Sequence, residues 1–235
     1  MITVCIATYN GSSYIRQQLN SILPQLGGDD EVVVSDDGST DGTPDIIRRI
    51  GDNRIKLVEG PRQHSPTLNF ECALRHARGE YIFLADQDDV WRDDKVAMCL
   101  ETLQRADCVV TNAWVTDNCL NVTDDSLYAM MHVRRSRLYN LLWHNGYTGC
   151  CMAFHRRVLD MALPFPKDTP MHDIWIGNVA AWFYSVEFTD ERLLWFRRHD
   201  ATTSCNGKGS RFSVWRQLLF RWNITKNILL LRLKK

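Results

Sequence analysis

The sequence predicts an α/β fold: a mostly parallel sheet flanked by helices. Three observations carry that expectation. Apolar runs of strand length recur through the first 110 residues, amphipathic stretches with helical spacing separate them, and polar clusters follow several of the runs. Strands that alternate with helices need crossover connections, which make the strands parallel and place ligands at their carboxyl ends.

ITVCIAT (2–8) reads as a buried strand, and Ser12 to Gln25 as a helix with Ile15, Leu19, Ile22 and Leu23 on one face. EVVVSD (31–36) is a second strand. Asp41-Gly42-Thr43-Pro44 then opens a helix, with Pro in the first turn and Ile46, Ile47 and Ile50 facing inward. A third strand is expected over 55–59, a helix over 67–78, a fourth strand at YIFLAD (81–86), a helix over 92–105 and a fifth strand at DCVVTN (107–112). Residues 113–147 carry polar and basic patches and suggest loops with one short helix. Helices are expected over 155–162 and 172–183, VEFTD (186–190) and RLLWFR (192–197) as a pair of strands, and a helical tail over 211–235. No repeat or linker divides the chain, so one domain is expected.

With 235 residues, 45% of them apolar and 24% charged, the chain has the composition of an ordinary globular protein with a real core. Its zero net charge hides an asymmetry. Residues 1–191 carry 17 Lys/Arg against 27 Asp/Glu, and residues 192–235 carry 11 against one. The basic end therefore suits an anionic partner: a membrane surface, a diphosphate or the chain's own acidic body. The eight cysteines lie scattered, several in apolar runs, without CxxC spacing, and the chain opens without a charged leader segment. Small buried hydrophobes in a reducing cytosol are expected, with Cys150-Cys151 as one core residue and one pocket wall. The apolar runs fall far short of the roughly 20 residues that a membrane span needs.

The chemistry-bearing residues follow strand ends. Asp86, Asp88 and Asp89 offer hard oxygen ligands for Mg²⁺ or Mn²⁺ on a tight turn; equally, three acids there suit a solvated cap for the next helix. Asp36 and Asp37, in VVVSDDGSTDGT, have the acceptors a ribose hydroxyl or base N–H needs, and they are also ordinary turn residues. Thr8-Tyr9-Asn10-Gly11 adds backbone groups and a ring at the same edge.

Taken in order, ATYNG (7–11), VVVSDDGSTDGT (32–43), ARGEYIFLADQDDVW (77–91), TGCCMAFHRRVL (148–159), MHDIWIG (171–177) and WFRRHDATTS (195–204) resemble the inverting family 2 glycosyltransferases. Among these the sequence is most similar to bacterial enzymes of O-antigen and capsule synthesis, often rhamnosyl- or galactosyltransferases. The resemblance covers roughly residues 1–204. It implies a GT-A fold, a Rossmann-like sheet with acceptor-side insertions: a donor-binding half (1–112), an acceptor-side half (113–204) and a basic helical tail (205–235). It implies that Ala7, Thr8 and Tyr9 lie along the nucleoside, that Asp37 accepts from the base and that Asp86 approaches the ribose. Asp88, the second acid of the family's DXD motif, would hold the metal with His199. Asp173 would be the base that deprotonates the acceptor hydroxyl. The tract PRQHSPTLNF (61–70) departs from the family, many of whose members have a Gly-rich run there. A donor-sugar role for Asn69 rests on that tract.

Inverting transfer independently needs a carboxylate on the acceptor side of the anomeric carbon, and Asp173 also suits a helix N-cap. Trp175 and His172 beside it, and Trp91, are expected on the acceptor side; core packing is the competing role for the tryptophans. Arg197 and Arg198 suit either a diphosphate or an exposed strand face. In the tail, Phe212, Trp215, Leu218, Leu219, Trp222 and Leu229 share a face that suits either anionic lipid or the catalytic domain, with the basic residues spread around the helix. The expected reaction moves a sugar from a UDP- or dTDP-sugar to a growing, lipid-linked surface glycan at the inner face of the cell membrane, with no nucleic-acid partner. Two rivals remain. A sugar-phosphate nucleotidyltransferase would want a Gly-rich, Lys-bearing loop after the first strand, and a non-catalytic nucleotide-sugar binder would be expected to lack Asp88 or Asp173.

Overall fold

The computed structural model describes residues 1–198 and 213–233. Its first half follows the expected alternation: β1 (Ile2–Thr8), α1 (Ile15–Ile22), β2 (Glu31–Asp36), α2 (Thr43–Ile50), β3 (Ile55–Glu59), α3 (Pro66–His76), β4 (Tyr81–Asp86), the short β5 (Val90–Trp91) and α4 (Lys95–Leu103). The second half contains β6 (Cys108–Thr116), β7 (Val122–Asp124), α5 (Leu127–Met130), α6 (Arg137–Leu142), β8 (Met152–His155), α7 (Arg156–Ala162), α8 (His172–Phe183), β9 (Val186–Arg197) and α9 (Val214–Leu233).

The strands form one sheet in the order β3-β2-β1-β4-β8-β6-β9-β5, with β7 beside β6. β1 to β4 are mutually parallel, and β6 and β9 are parallel to each other; β8, β5 and β7 run against their neighbours. Val4, Ile6, Val32, Val34, Ile82 and Leu84 are fully buried, as a sheet covered on both faces requires. The cysteines among the described residues are free thiols, and Cys150 and Cys151 are both wholly buried.

Several boundaries differ from the sequence expectation. The segment 186–197 is one strand. The sequence suggests two strands parted at Glu191, yet β9 passes through it, while register shifts against β6 at Val110/Asn112 and Asn112/Trp114 absorb the irregularity. The exposed acids there are paired across the surface, Asp190 with Arg135 at 2.6 Å and Glu191 with Arg92 at 3.4 Å. β8 precedes α7 where a helix alone was expected, because Met152 and Ala153 join the central ladder between β4 and β6. The tail is helical, but its tryptophan face does not pack on the domain: α9 buries Ile224 and Ile228 and leaves Trp215 and Trp222 exposed.

Candidate functional site

Pairing register brings the polar strand ends together. Thr8 lies opposite Asp36, and Ala7 opposite Asp86, so the carboxyl ends of β1, β2 and β4 form one edge. The half-buried Ala7 lies between them. Thr8 Oγ1 donates to Asp36 Oδ1 at 3.0 Å, and Asp36 also receives the Ser39 amide at 2.9 Å. Gln87 clips the strand ends together: its Oε1 accepts from the Tyr9 amide at 3.0 Å and its Nε2 donates to the Tyr9 carbonyl at 3.2 Å. A Cβ on Gly11 would lie 2.3 Å from Gln87 Oε1, so the glycine makes room for this clip. The Tyr9 ring is exposed and meets His64 edge to face at 4.5 Å, leaving an aromatic surface at the mouth of the edge.

Asp37 is buried, and its two oxygens accept the amides of Gln63 and Ser65, each at 3.1 Å. It thus anchors the 61–65 loop. Arg62 and His64 in that loop hold φ of 56° and 51°, left-handed values that cost a side-chain-bearing residue about 1–2 kcal/mol each. This is the tract that departs from the Gly-rich pattern; the Asp37 bonds hold the loop in the shape that glycines would take freely. Asn69 is buried and donates to the Thr8 carbonyl at 3.0 Å, so it supports the end of β1 instead of facing an open donor pocket.

Asp86, Asp89 and Cys150 offer ligand atoms that all lie within 4.8 Å of one another. Asp89 does not cap α4, which begins at Lys95. Its carboxylate is buried, accepts the Arg197 amide through Oδ1 at 3.0 Å and leaves Oδ2 without a protein partner. Burial, with Asp88 and Asp173 nearby, raises Asp86 to about 7. Burial, Asp88 and Asp86 raise Asp89 well above the ordinary range. The hydrogen bond with Cys151, burial and the neighbouring carboxylates push the Cys150 thiol up, so it stays protonated. The donor set is therefore carboxylate oxygen. Crowded acids with one orphaned buried oxygen fit a hard divalent cation such as Mg²⁺ or Mn²⁺. Asp88 is half-buried beside this group and raises both acids by its charge, but is not part of the 4.8 Å cluster. His199 lies outside the described residues.

Asp173 stands in the first turn of α8, against the 3₁₀ turn Gly149–Cys151. Its Oδ2 accepts the Gly149 amide at 3.3 Å and its Oδ1 accepts the Ile174 amide at 2.7 Å. It is half-buried, and burial raises it to about 6. Its charge reaches Asp86, so the structure brings Asp86, Asp88, Asp89 and Asp173 to one place from two elements far apart in sequence.

The three expected acceptor-side rings are not at an open surface. Trp91 packs on Phe83 with 1% exposure, and Trp175 donates Nε1 to the Ala162 carbonyl at 2.8 Å with 2% exposure. His172 stacks on Phe70 at 3.8 Å, and burial lowers it to about 3, so it is neutral. In each case the apolar face of the ring is worth more in the core than in water. Trp114 stacks on Trp195 at 5.2 Å.

Two residues take roles that the sequence does not indicate. Lys95 reads as a solvated helix start, but it is fully buried, donates Nζ to the Cys150 carbonyl at 2.7 Å and sits 4.7 Å from the Trp91 ring centre. Its charge opposes the rise at Asp86. Arg197, expected at a diphosphate or an exposed face, is buried. It donates Nε to the Asp88 carbonyl and Nη2 to Gln17 Oε1, each at 2.7 Å, and Nη1 to the Asn118 carbonyl. Arg197 therefore pins the acidic turn. Arg197→Ala is expected to destabilise the fold by about 3 kcal/mol, because buried carbonyls lose charged donors; urea unfolding measures this.

The clearest cavity, about 390 Å³ and lined by Tyr81, Arg105, Asp107, His155, Arg157 and Ser185, opens at the opposite edge of the sheet. Its charges are mutually satisfied: Arg157 pairs with Asp107, and Arg105 with Glu187 at 2.7 Å.

Comparison with known proteins agrees with this geometry. The putative teichuronic acid biosynthesis glycosyltransferase TuaG of Bacillus subtilis is 30% identical over 220 residues, 92% of this chain and 86% of that protein. An uncharacterized glycosyltransferase of Nostoc sp. is 28% identical over 213 residues, 85% of this chain; the match spans 65% of that relative's length. Among solved structures, S. aureus TarS 1-349 in complex with UDP-GlcNAc superposes with a TM-score of 0.70 at 19% identity, over 98% of this chain and 66% of that one. The mannosyltransferase PcManGT of Pyrobaculum calidifontis, in complex with GDP-Man and Mn²⁺, gives 0.64 at 23% identity, over 87% and 58%. The fold is that of the GT-A glycosyltransferases. The profile described as "Glycosyl transferase family 2" matches residues 3–161, the stretch that holds the carboxyl edge and the acidic turn, and the chain belongs to that family.

Proposed function

We propose that this chain is a metal-dependent, inverting glycosyltransferase that moves a hexosyl or deoxyhexosyl group from a UDP- or dTDP-sugar to a hydroxyl of a growing, lipid-linked bacterial surface glycan. The observation that carries the reading is Asp173: one carboxylate, raised to about 6, close enough to Asp86 to act on it by charge. A base near that value is unprotonated at neutral pH yet still takes a proton.

In this reading the edge formed by Ala7, Thr8 and Tyr9 receives the nucleoside, with the exposed Tyr9 ring as a stacking surface. Asp86 serves the ribose or, with Asp88 and Asp89, the metal; His199 remains a proposed further ligand. When bound, Mg²⁺ or Mn²⁺ neutralises charge that develops on the leaving diphosphate. Asp37 and Asn69 act by holding the 61–65 loop and the end of β1. Asp173 orients the acceptor hydroxyl and takes its proton as the sugar–oxygen bond forms, on the face opposite the departing diphosphate. Residues 1–112 thus supply the donor side and 113–204 the acceptor side, and the likeness to TuaG supports an enzyme of surface-polysaccharide synthesis, which would act in the cytoplasm.

A panel of UDP- and dTDP-sugars with Mn²⁺ or Mg²⁺ tests the reading, through release of nucleoside diphosphate and thermal shift. At least one donor is expected to bind in a cation-dependent way. Binding of nucleoside triphosphates without any sugar nucleotide would favour the nucleotidyltransferase reading instead.

A further inference from the structure

The second-half helices leave a surface that the reaction does not use. On α9 the stripe Trp215, Leu219, Trp222, Leu229 and Leu233 is exposed, with Trp215 at 82% and Trp222 at 64%. These residues recur at intervals of three, four and seven residues, with Lys226 in the longest gap, and so share one helical face. The opposite face, through Ile224 and Ile228, is buried in the domain. Next to α9, α6 and the residue after it expose Leu138, Leu142 and Trp143, the last at 71%. Arg221 joins the two helices by donating to the Leu141 carbonyl at 3.2 Å and to the Trp143 carbonyl.

Charge follows the same pattern. α9 carries Arg216, Arg221, Lys226 and Arg232 and no acid; residues 131–144 carry Arg134, Arg135 and Arg137 and no acid. No helix among the described residues is long and apolar enough to cross a membrane. Exposed tryptophan and leucine flanked by cations, of which Arg135 is paired with Asp190, match the interface between acyl chains and anionic headgroups. A second copy on this surface would set cation against cation, with no acid on either helix to compensate.

We propose that α6 and α9 together form a docking surface for an anionic lipid bilayer, with Trp143, Trp215 and Trp222 entering the headgroup layer. Both helices pack on α8, whose first turn holds Asp173, so docking would fix the acceptor side of the site relative to the bilayer. The inference goes beyond the proposed reaction and does not depend on it.

Sedimentation of the full chain with phosphatidylcholine vesicles, with and without phosphatidylglycerol, tests it. Binding is expected only with phosphatidylglycerol and should weaken as salt rises. The double variant Trp143→Ala/Trp222→Ala should lose at least about tenfold in vesicle affinity while keeping its circular dichroism spectrum. Lys226→Glu, which touches no packing, should weaken binding in the same direction. Absence of vesicle binding, or undiminished binding by both variants, would overturn the proposal. So would a concentration-dependent dimer that Trp222→Ala dissolves, which would assign the face to a second copy. Vesicle binding by Asp173→Asn keeps this result separate from the outcome of the donor panel.

Discussion

Asp173→Asn is expected to lower the rate of sugar transfer by about 10²–10⁴-fold while leaving donor binding intact, because a positioned base typically contributes that much. Asparagine keeps the size of the side chain, and its one acceptor oxygen can take either the Gly149 or the Ile174 amide, so at most one of the two bonds is lost. The loss should fall on kcat, read with a saturating donor. Retained turnover in this variant would sink the assignment. The pH profile provides a second check. Asp173 must be unprotonated to act, and burial raises it to about 6, so the rate should climb as pH rises through that value and level off above it. The same shift has a cost in stability. Asp173 and Asp86, raised to about 6 and about 7, bind more protons folded than unfolded, so their contribution to stability falls as pH rises from about 4 to about 7. A group raised by burial is most stabilising when protonated, the reverse of a salt-bridged acid.

Addition of Mn²⁺ is expected to offset that cost at the acidic turn. A cation at about a hundred times its Kd would stabilise the folded chain by roughly 2.7 kcal/mol. For a protein of this length that corresponds to about 5–10 °C in Tm. Asp86 must release its proton for a cation to bind, so the increment should shrink as pH falls from 8 to 6. Chelation with EDTA should abolish transfer, and Asp88→Ala and Asp89→Asn should each remove most of the cation-induced rise in Tm. An unchanged cation response in both variants would exclude this turn as the metal site. In the metal-free protein Asp89→Asn should be stabilising at pH 8, since burial and the neighbouring acids disfavour the charged form of the carboxyl it replaces.

Arg197 shows why some of the machinery stays hidden in a linear reading. An Arg-Arg-His-Asp run at a strand end looks like a ligand for phosphate, but β9 ends beside the acidic turn and carries the Arg197 guanidinium into the interior, onto the Asp88 and Asn118 carbonyls. Lys95 is hidden for the same reason. Its neighbours Asp93 and Asp94 suggest solvent, and only the packing of α4 on the central strands places its ammonium under the Cys150 carbonyl. Trp91, Trp175 and His172 err in the opposite direction: large rings next to polar motifs suggest a sugar-facing wall, yet each ring gains more from burial in the core. The segment 186–197 suggests two strands because charged residues interrupt its apolar pattern, whereas bulges allow one long strand to carry them.

The parallel half of the sheet, and the edge where the polar clusters gather, can be read from the linear order of residues alone. Apolar runs alternating with amphipathic ones are a local, periodic signal, and parallel crossover connections put every polar cluster that follows a strand at the same end. The order of the motifs also marked Asp86, Asp88 and Asp173 as belonging to one site. Only the tertiary structure decided the division of labour within that site. Protonation depends on burial and on charges from distant segments, which is why Asp86 and Asp173 are raised, Asp89 is buried against Arg197 and Asp37 holds a loop. The exposure of the α9 tryptophans belongs to the same class of facts: helical spacing places them on one face, but only packing settles which face the domain covers.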